Sequence, residues 1–266
     1  MSTLTAHVPP ATAPGRSAGG RVPDAWRQFA LVIQWQLRRS AQALPLLVLV
    51  QVLLSVATIA GYGLLVGHPD HLAGLYLATG APTVALITVG LVMTPQLVGQ
   101  SRTEGSLDWL RTLPVPREVF LLADLTVWTL IALPGLVLGV VAGSIRFDAD
   151  LHPTWWLAPA ALVVSLTSAA VGYAMATLLP PVIAQLMSQV LVFVVLLFTP
   201  ISFPADRMPT WAQQVHEWLP LEPMAQVVRA GLAPRDFTVP GRSWVVLAAW
   251  CVAAVTGAGL ALRRRG

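Results

Sequence analysis

The sequence lacks the motifs that are typical of enzymes that bind ATP or hydrolyse peptides. The chain contains no Lys, so it lacks the Gly-x-x-x-x-Gly-Lys-Ser/Thr loop whose amides and Lys hold the phosphates of ATP. It also lacks His-Glu-x-x-His, the helical zinc motif of metalloproteases. The single Cys251 cannot form an intrachain disulfide, and its apolar neighbours indicate a small buried side chain. We therefore expect no catalytic residue, metal site or cofactor site in this chain.

The most compact group of polar residues lies at positions 101–116, between two long apolar segments. Ser101 and Glu104 have the Ser-x-x-Glu spacing of a capping box, which predicts a helix of about two to three turns that ends before Pro114. Its apolar anchors would be Leu107, Trp109 and Leu110, and its polar contacts Arg102, Asp108 and Arg111. An amphipathic helix of this size is suited to docking in a groove of a partner protein. An ordinary charged loop helix without a partner is the alternative.

The composition predicts a protein that is embedded in a membrane. Hydrophobic residues make up 56% of the chain, charged residues 11%, and the mean hydropathy is +0.70, whereas soluble domains carry about 25% charged residues. A helix needs about 20 apolar residues to cross a bilayer. Six segments approach or exceed that length, at about 44–66, 73–98, 119–143, 155–179, 182–203 and 243–262. We expect an all-α membrane protein with six transmembrane helices.

The distribution of Arg predicts the orientation of these helices, because Arg in short loops stays on the cytoplasmic side. With both termini inside, the cytoplasmic segments hold eleven Arg and the outer loops hold five. The eleven are Arg16, Arg21, Arg27, Arg38, Arg39, Arg102, Arg111, Arg117, Arg263, Arg264 and Arg265. We therefore expect a multi-pass protein of a bacterial cytoplasmic membrane; the all-Arg, Ala- and Val-rich composition suggests a GC-rich bacterial genome. The scattered Arg form no basic face, so we expect no nucleic-acid partner.

The chain divides into three parts. Residues 1–22 are rich in Ala, Pro, Gly, Ser and Thr, which predicts a disordered cytoplasmic tail. Residues 23–40 predict an amphipathic helix, whose apolar face holds Trp26, Phe29, Ile33 and Leu37. It is too short and too polar to span, so we expect it to lie in the cytoplasmic membrane interface, with packing in the cytosol as the alternative. Residues 41–266 form the six-span domain.

Polar side chains within the apolar segments are candidates for a translocation path. They are Gln51, Ser55, Thr58 and Tyr62 on one face of the first span, Thr83 and Thr88 in the second, and Gln185, Ser188 and Gln189 in the fifth. Unsatisfied polar groups are costly against lipid, so these residues must face a hydrated path or other helices. Interhelical hydrogen bonds are the competing explanation.

Small residues and prolines predict close packing and bends. The third span carries Gly135, Gly139 and Gly143 at four-residue spacing, and the fourth carries Ala161, Ser165, Ala169 and Gly172 on nearly one line. Both ridges allow neighbouring backbones to approach. The second span contains Gly80, Pro82, Gly90, Pro95 and Gly99, which predicts a bent helix. Short outer helices are expected between spans five and six, the first starting at Pro209 and the second running to about Arg229.

With these features, the chain resembles the ABC-2 type of ABC transporter permeases, which includes drug and polysaccharide exporters. The resemblance is carried by the segment Arg102-Thr103-Glu104-Gly105-Ser106-Leu107-Asp108-Trp109-Leu110-Arg111-Thr112-Leu113-Pro114 between spans two and three, and by the amphipathic helix before span one. It is also carried by Phe203-Pro204, Met208-Pro209-x-Trp211, Leu219-Pro220-x-x-Pro223 and Arg229 before span six. In the segment after span two, Glu104 and Gly105 are adjacent, where many members have other residues between them.

The resemblance implies a permease without enzymatic activity of its own. The segment after span two would be a coupling helix, and Arg102, Glu104, Leu107, Asp108, Leu110 and Arg111 would contact an ABC ATP-binding subunit. ATP and Mg²⁺ would bind that subunit and not this chain, and a second copy or a related permease would complete the path. Importers carry a Glu-Ala-Ala motif, which is absent here, so the resemblance favours export.

The uncharged path candidates favour an amphipathic substrate, such as a drug, an antibiotic or a lipid-like molecule. Two other functions stay open at this stage. An ion-driven secondary transporter predicts charged residues within the membrane, and only Asp124 approaches that description. A non-transporting scaffold or sensor subunit predicts a partner but no flux that depends on ATP.

Overall fold

Six long apolar helices form the body of the protein. The computed structural model describes residues 21–41, 44–67, 69–103 and 116–264, in which every regular element is a helix and none is a strand. Six of these helices are long and apolar enough to cross a membrane. Span one is Leu44–Val66, span three Arg117–Phe147, span four Leu157–Leu178, span five Pro181–Phe198 and span six Gly241–Arg264. Span two joins His71–Thr88, the π-helical Val89–Met93 and Thr94–Thr103. The predicted all-α, six-span class is confirmed.

Among the described residues, three further helices lie outside the spans. The N-terminal helix is Arg21–Ser40, and its Trp26 and Phe29 rings pack with centroids 5.5 Å apart. The first and second loop helices, Thr210–Trp218 and Leu221–Leu232, follow a short 3₁₀ turn between spans five and six. The location of the N-terminal helix in the membrane interface stays a prediction.

The glycine ridge of span three packs against span two and shows the relative direction of the two helices. A Cβ atom built on Gly139 would lie 3.0 Å from Cβ of Pro82, and one built on Gly143 would lie 3.0 Å from Cα of Ala78. The predicted close packing at this ridge is therefore confirmed, because side chains would not fit. Residue numbers rise along span three as they fall along span two, so the two helices are antiparallel. Thr103 and Arg117 consequently lie at the same end of the bundle.

The bundle thus has two distinct ends. The terminus end holds the starts of spans one, three and five, whereas the loop end holds the two loop helices and the starts of spans two, four and six. Span two occupies the centre, with nearly all its residues from 74 to 91 buried, and it packs against spans one, three and four. Few residues of spans one and five are buried. Span two therefore contacts most of the other spans.

The small-residue line of span four packs against the π-helical part of span two. A Cβ atom on Gly90 would overlap backbone atoms of Ser168 and Ala169, and a Cβ atom on Gly172 would overlap the carbonyl oxygen of Gly90. Both glycines are required by contact between the two backbones. The predicted close approach is confirmed here as well.

Three helix ends differ from the expected positions. Span five ends at Phe198 instead of 203, because Pro200 disfavours a helical conformation at the preceding residue. Span three continues beyond 143 to Phe147 and is capped by Asp148 in a left-handed conformation, with φ 49°. Span two continues beyond 98 to Thr103, so Ser101 lies in its last helical turn and does not start a helix.

Candidate functional site

The predicted coupling segment joins two antiparallel helices at the terminus end. Arg102 belongs to the last turn of span two, and span three begins at Arg117 after Pro116. The other five coupling candidates, Glu104, Leu107, Asp108, Leu110 and Arg111, lie outside the described residues. The described helices therefore fix only the two points between which this segment runs.

The first half of the span-one polar stripe faces span three. Ser55 is fully buried, and its hydroxyl donates a hydrogen bond to the carbonyl oxygen of Gly135 at 2.9 Å. Gln51 is also fully buried, and a Cβ atom on Gly135 would lie 3.4 Å from Cβ of Gln51. Among the described residues, neither amide atom of Gln51 has a hydrogen-bond partner. Ser55 thus links two helices, whereas Gln51 is a buried amide without a partner.

The second half of the stripe extends to the loop end. The Thr58 hydroxyl donates to the carbonyl oxygen of Leu54 within its own helix, at 2.7 Å. The Tyr62 hydroxyl shares a hydrogen bond of 2.7 Å with the Ser202 hydroxyl, just after span five. One helical face therefore has different partners at its two ends, and Tyr62 joins span one to the loop between spans five and six.

The threonines of span two bond within their own helix. Thr83 donates to the carbonyl oxygen of Thr79 at 2.8 Å, and Thr88 donates to that of Val84 at 2.7 Å. Thr83 is buried and Thr88 is half-buried, immediately before the π-helical part. Both hydroxyls therefore bond back to carbonyl oxygens one turn earlier in the same helix.

The span-five candidates divide between two faces. Ser188 is buried and donates to the carbonyl oxygen of Ala184 at 2.8 Å. Gln185 and Gln189 are exposed on the outside of the single chain. In the part of the chain that the structure describes, the nine path candidates therefore do not line one cavity. They lie at the contact with span three, in the core, and on the free face of span five.

A buried Arg occupies the loop end. Arg229 of the second loop helix is 5% exposed, and its Nη2 donates to the carbonyl oxygen of Ile201 at 2.6 Å. Its guanidinium lies 4.0 Å from the ring centroid of Tyr76 and 5.5 Å from that of Phe237. Burial lowers the pKa of Arg229 to about 10, so the group is still a cation at neutral pH. The sequence signal was a single charged residue within the otherwise apolar stretch 227–233.

The second loop helix is also hydrogen-bonded to span six. Gln226 donates to Oε1 of Glu222 at 2.8 Å and accepts a hydrogen bond from the Ser243 hydroxyl. Glu222 is buried, and its Oε2 has no partner among the described residues. Burial raises the pKa of the Glu222 carboxyl above its ordinary value, although His216 partly opposes this effect. The helix therefore connects the end of span five to the start of span six.

Comparison with known proteins identifies a transporter family. The family model described as ABC-2 type transporter matches residues 27–233, from within the N-terminal helix to the end of the second loop helix. No curated protein matches the sequence.

Proposed function

The chain belongs to the ABC-2 type transporter family, and on that premise we propose that it is the permease subunit of an ATP-driven exporter of amphipathic small molecules. Membership makes it the transmembrane, non-catalytic component of an ABC transporter and implies an ABC ATP-binding partner. The proposal adds the direction of transport, the substrate class and the way in which the partner is coupled.

The geometry of the terminus end carries the proposal. The segment 104–115 runs between two antiparallel helices, one of which is the central span two. A partner that binds this segment can displace Thr103 and Arg117 together. Because the π-helical part of span two contacts span four through Gly90, such a displacement would reach the core of the bundle. Arg102, Glu104, Leu107, Asp108, Leu110 and Arg111 are the proposed contacts.

The free face of span five supports a second permease copy or a related chain. Gln185 and Gln189 lie on this face beside the exposed Leu186 and Phe193. Amide side chains are unfavourable against lipid, since lipid tails offer no hydrogen bonds. A second copy would cover these amides, and a path between two copies would offer polar and apolar contacts to an amphipathic substrate. The excess of Arg near the terminus end supports a cytoplasmic location for that end in the proposed bacterial cell.

The decisive experiment is purification of the tagged full chain from its native membrane, followed by identification of stoichiometric partners. A P-loop ATPase should copurify with the wild type and be lost from the double variant Glu104→Arg, Leu107→Asp. The matched control is Asp206→Arg, Trp211→Asp, which changes two exposed residues at the loop end and should retain the ATPase. Purification of intact wild-type protein without any ATPase would reject the proposal in favour of an ion-driven transporter or a scaffold.

A further inference from the structure

Three other parts of the chain meet at the turn formed by Ile201 and Ser202, which we name the 201–202 turn. It follows the end of span five at Phe198 and precedes the two loop helices. Ile201 is 1% exposed and Thr199, two residues earlier, is also 1% exposed. A surface loop would leave such residues in solvent, so this turn is held inside the bundle by its neighbours.

Arg229 provides the charged contact to this turn. Its Nη2 donates to the backbone carbonyl of Ile201 at 2.6 Å, a short bond for a cationic donor. The guanidinium plane is held over Tyr76 at the start of span two. Among the described residues, Arg229 forms no ion pair with a carboxylate. The Ile201 carbonyl, the ring of Tyr76 and the charge of Glu222 stabilise the buried cation. A planar guanidinium can bond the carbonyl and stack on the ring at the same time.

Spans one and two complete the enclosure. The Tyr62 hydroxyl at the loop end of span one bonds the Ser202 hydroxyl. At Gly80 of span two, a Cβ atom would lie 2.7 Å from Oγ of Ser202 and 3.0 Å from the carbonyl oxygen of Ile201. The same carbonyl thus accepts from Arg229 and packs against the Gly80 backbone. Span two has no side chain at this position because the turn occupies the space.

We propose that Arg229 is a positioning residue that holds the 201–202 turn against spans one and two, closing the loop end of the bundle. This inference rests on the proposed function for its consequence. The turn directly follows span five, whose free face would line the path between two copies, so the turn would separate from Arg229 when substrate leaves at the loop end. The closure itself is a property of the chain without its partners. It can therefore be measured whether or not an ATPase is found.

The test measures how fast a thiol at position 199 reacts in the full-length chain. In a Cys251→Ala background, Thr199→Cys places a small buried thiol beside the turn and leaves the Ile201 carbonyl and Tyr62 in place. The chain is reconstituted in lipid nanodiscs, which expose both faces, and treated with a membrane-impermeant maleimide. Asp206→Cys, on an exposed residue of the same loop, reports reagent access and should react at one rate in all variants.

Arg229→Met should raise the labelling rate at position 199 about tenfold, as expected for loss of one hydrogen bond from a charged donor. Arg235→Met, at an Arg of the same end that is 74% exposed in its side chain, should leave the rate unchanged. If Arg229→Met does not reach the membrane, Arg229→Lys replaces it. Lys keeps the charge without the planar group, so the rate should still rise, by less than in Arg229→Met. A folded Arg229 variant with the wild-type rate overturns the proposal.

The role in transport has a separate outcome. In a purified complex that hydrolyses ATP, addition of ATP should increase labelling at position 199 in the wild type. An active complex whose labelling does not change would overturn the opening of the turn during export. Absence of an ATPase would instead count against the proposed function, and the comparison of Arg229 variants would still decide the closure.

Discussion

Replacing Gly172 by Ala should separate the two central helices. Gly172 lies on span four, where its Cα faces the π-helical part of span two. An added Cβ would overlap the carbonyl oxygen of Gly90 and lie 3.0 Å from Cδ of Pro95. One obstacle is a backbone atom and the other belongs to a ring, so neither can rotate away. The helices must move apart to accept the methyl group.

The size of the effect follows from these contacts. Carbon atoms in contact normally lie about 3.5–4.0 Å apart, so span four must shift by more than about 1 Å. Overpacking costs about 1–3 kcal/mol, and an overlap with backbone belongs at the upper end. The higher helix propensity of Ala offsets up to about 1 kcal/mol of this loss in stability. The net loss of about 2 kcal/mol corresponds to a melting temperature about 4–8 °C lower.

The assay is thermal melting of the purified full chain in detergent, followed by size-exclusion chromatography with fluorescence detection. The matched control is Gly257→Ala in span six, where nothing lies within 4 Å of the added Cβ. This control should melt at or slightly above the wild-type temperature, since it gains helix propensity without a clash. If Gly172→Ala and Gly257→Ala melt at the same temperature, the backbone contact at Gly90 does not constrain the bundle and the argument is refuted.

Three further substitutions test individual polar groups by the same melting assay. Ser55→Ala should lower the stability by about 1 kcal/mol, because it removes the bond to the Gly135 carbonyl; an unchanged melting temperature would contradict that link. Gln51→Leu should keep or raise the stability, because the buried amide lacks partners among the described residues, and a marked loss would show that the amide is bonded. Glu222→Gln should raise the melting temperature at neutral pH and lose this advantage as the pH falls toward 4.5. Because the pKa of Glu222 is raised in the folded state, the stability that protonated Glu222 contributes is fully present below the ordinary pKa of 4.5. That stability is lost as the pH rises through the folded-state pKa, and Gln, which stays neutral, does not lose it. A pH-independent difference would contradict the last prediction.

The number and kind of elements were predictable because they depend on local properties. Span one was expected at 44–66 and is Leu44–Val66, because the polarity of the sequence changes sharply at both ends of this apolar segment. The fifth span was overestimated because apolar residues continue past Pro200, whereas the helix ends at Phe198 before the proline. Hydropathy reports transfer into lipid, and it does not report where the backbone stops being helical.

The partners of the polar residues could not be predicted from their spacing. Ser55 and Tyr62 share one face of span one, yet Ser55 bonds span three and Tyr62 bonds the 201–202 turn. A periodic pattern gives the direction of a side chain on its own helix. The neighbour that it meets depends on how distant segments pack.

The amino-acid sequence by itself determined a six-span helical membrane protein, its small-residue ridges and its relation to a transporter family. These properties follow from apolar length, from residue size at fixed spacing and from a recognisable order of segments. Only the tertiary structure decided that Arg229 is buried against the Ile201 carbonyl and Tyr76. The reason is physical: a cation on a short helix can face water or the bundle, and its direction is set by the carbonyl and the aromatic ring that distant parts of the chain bring to it.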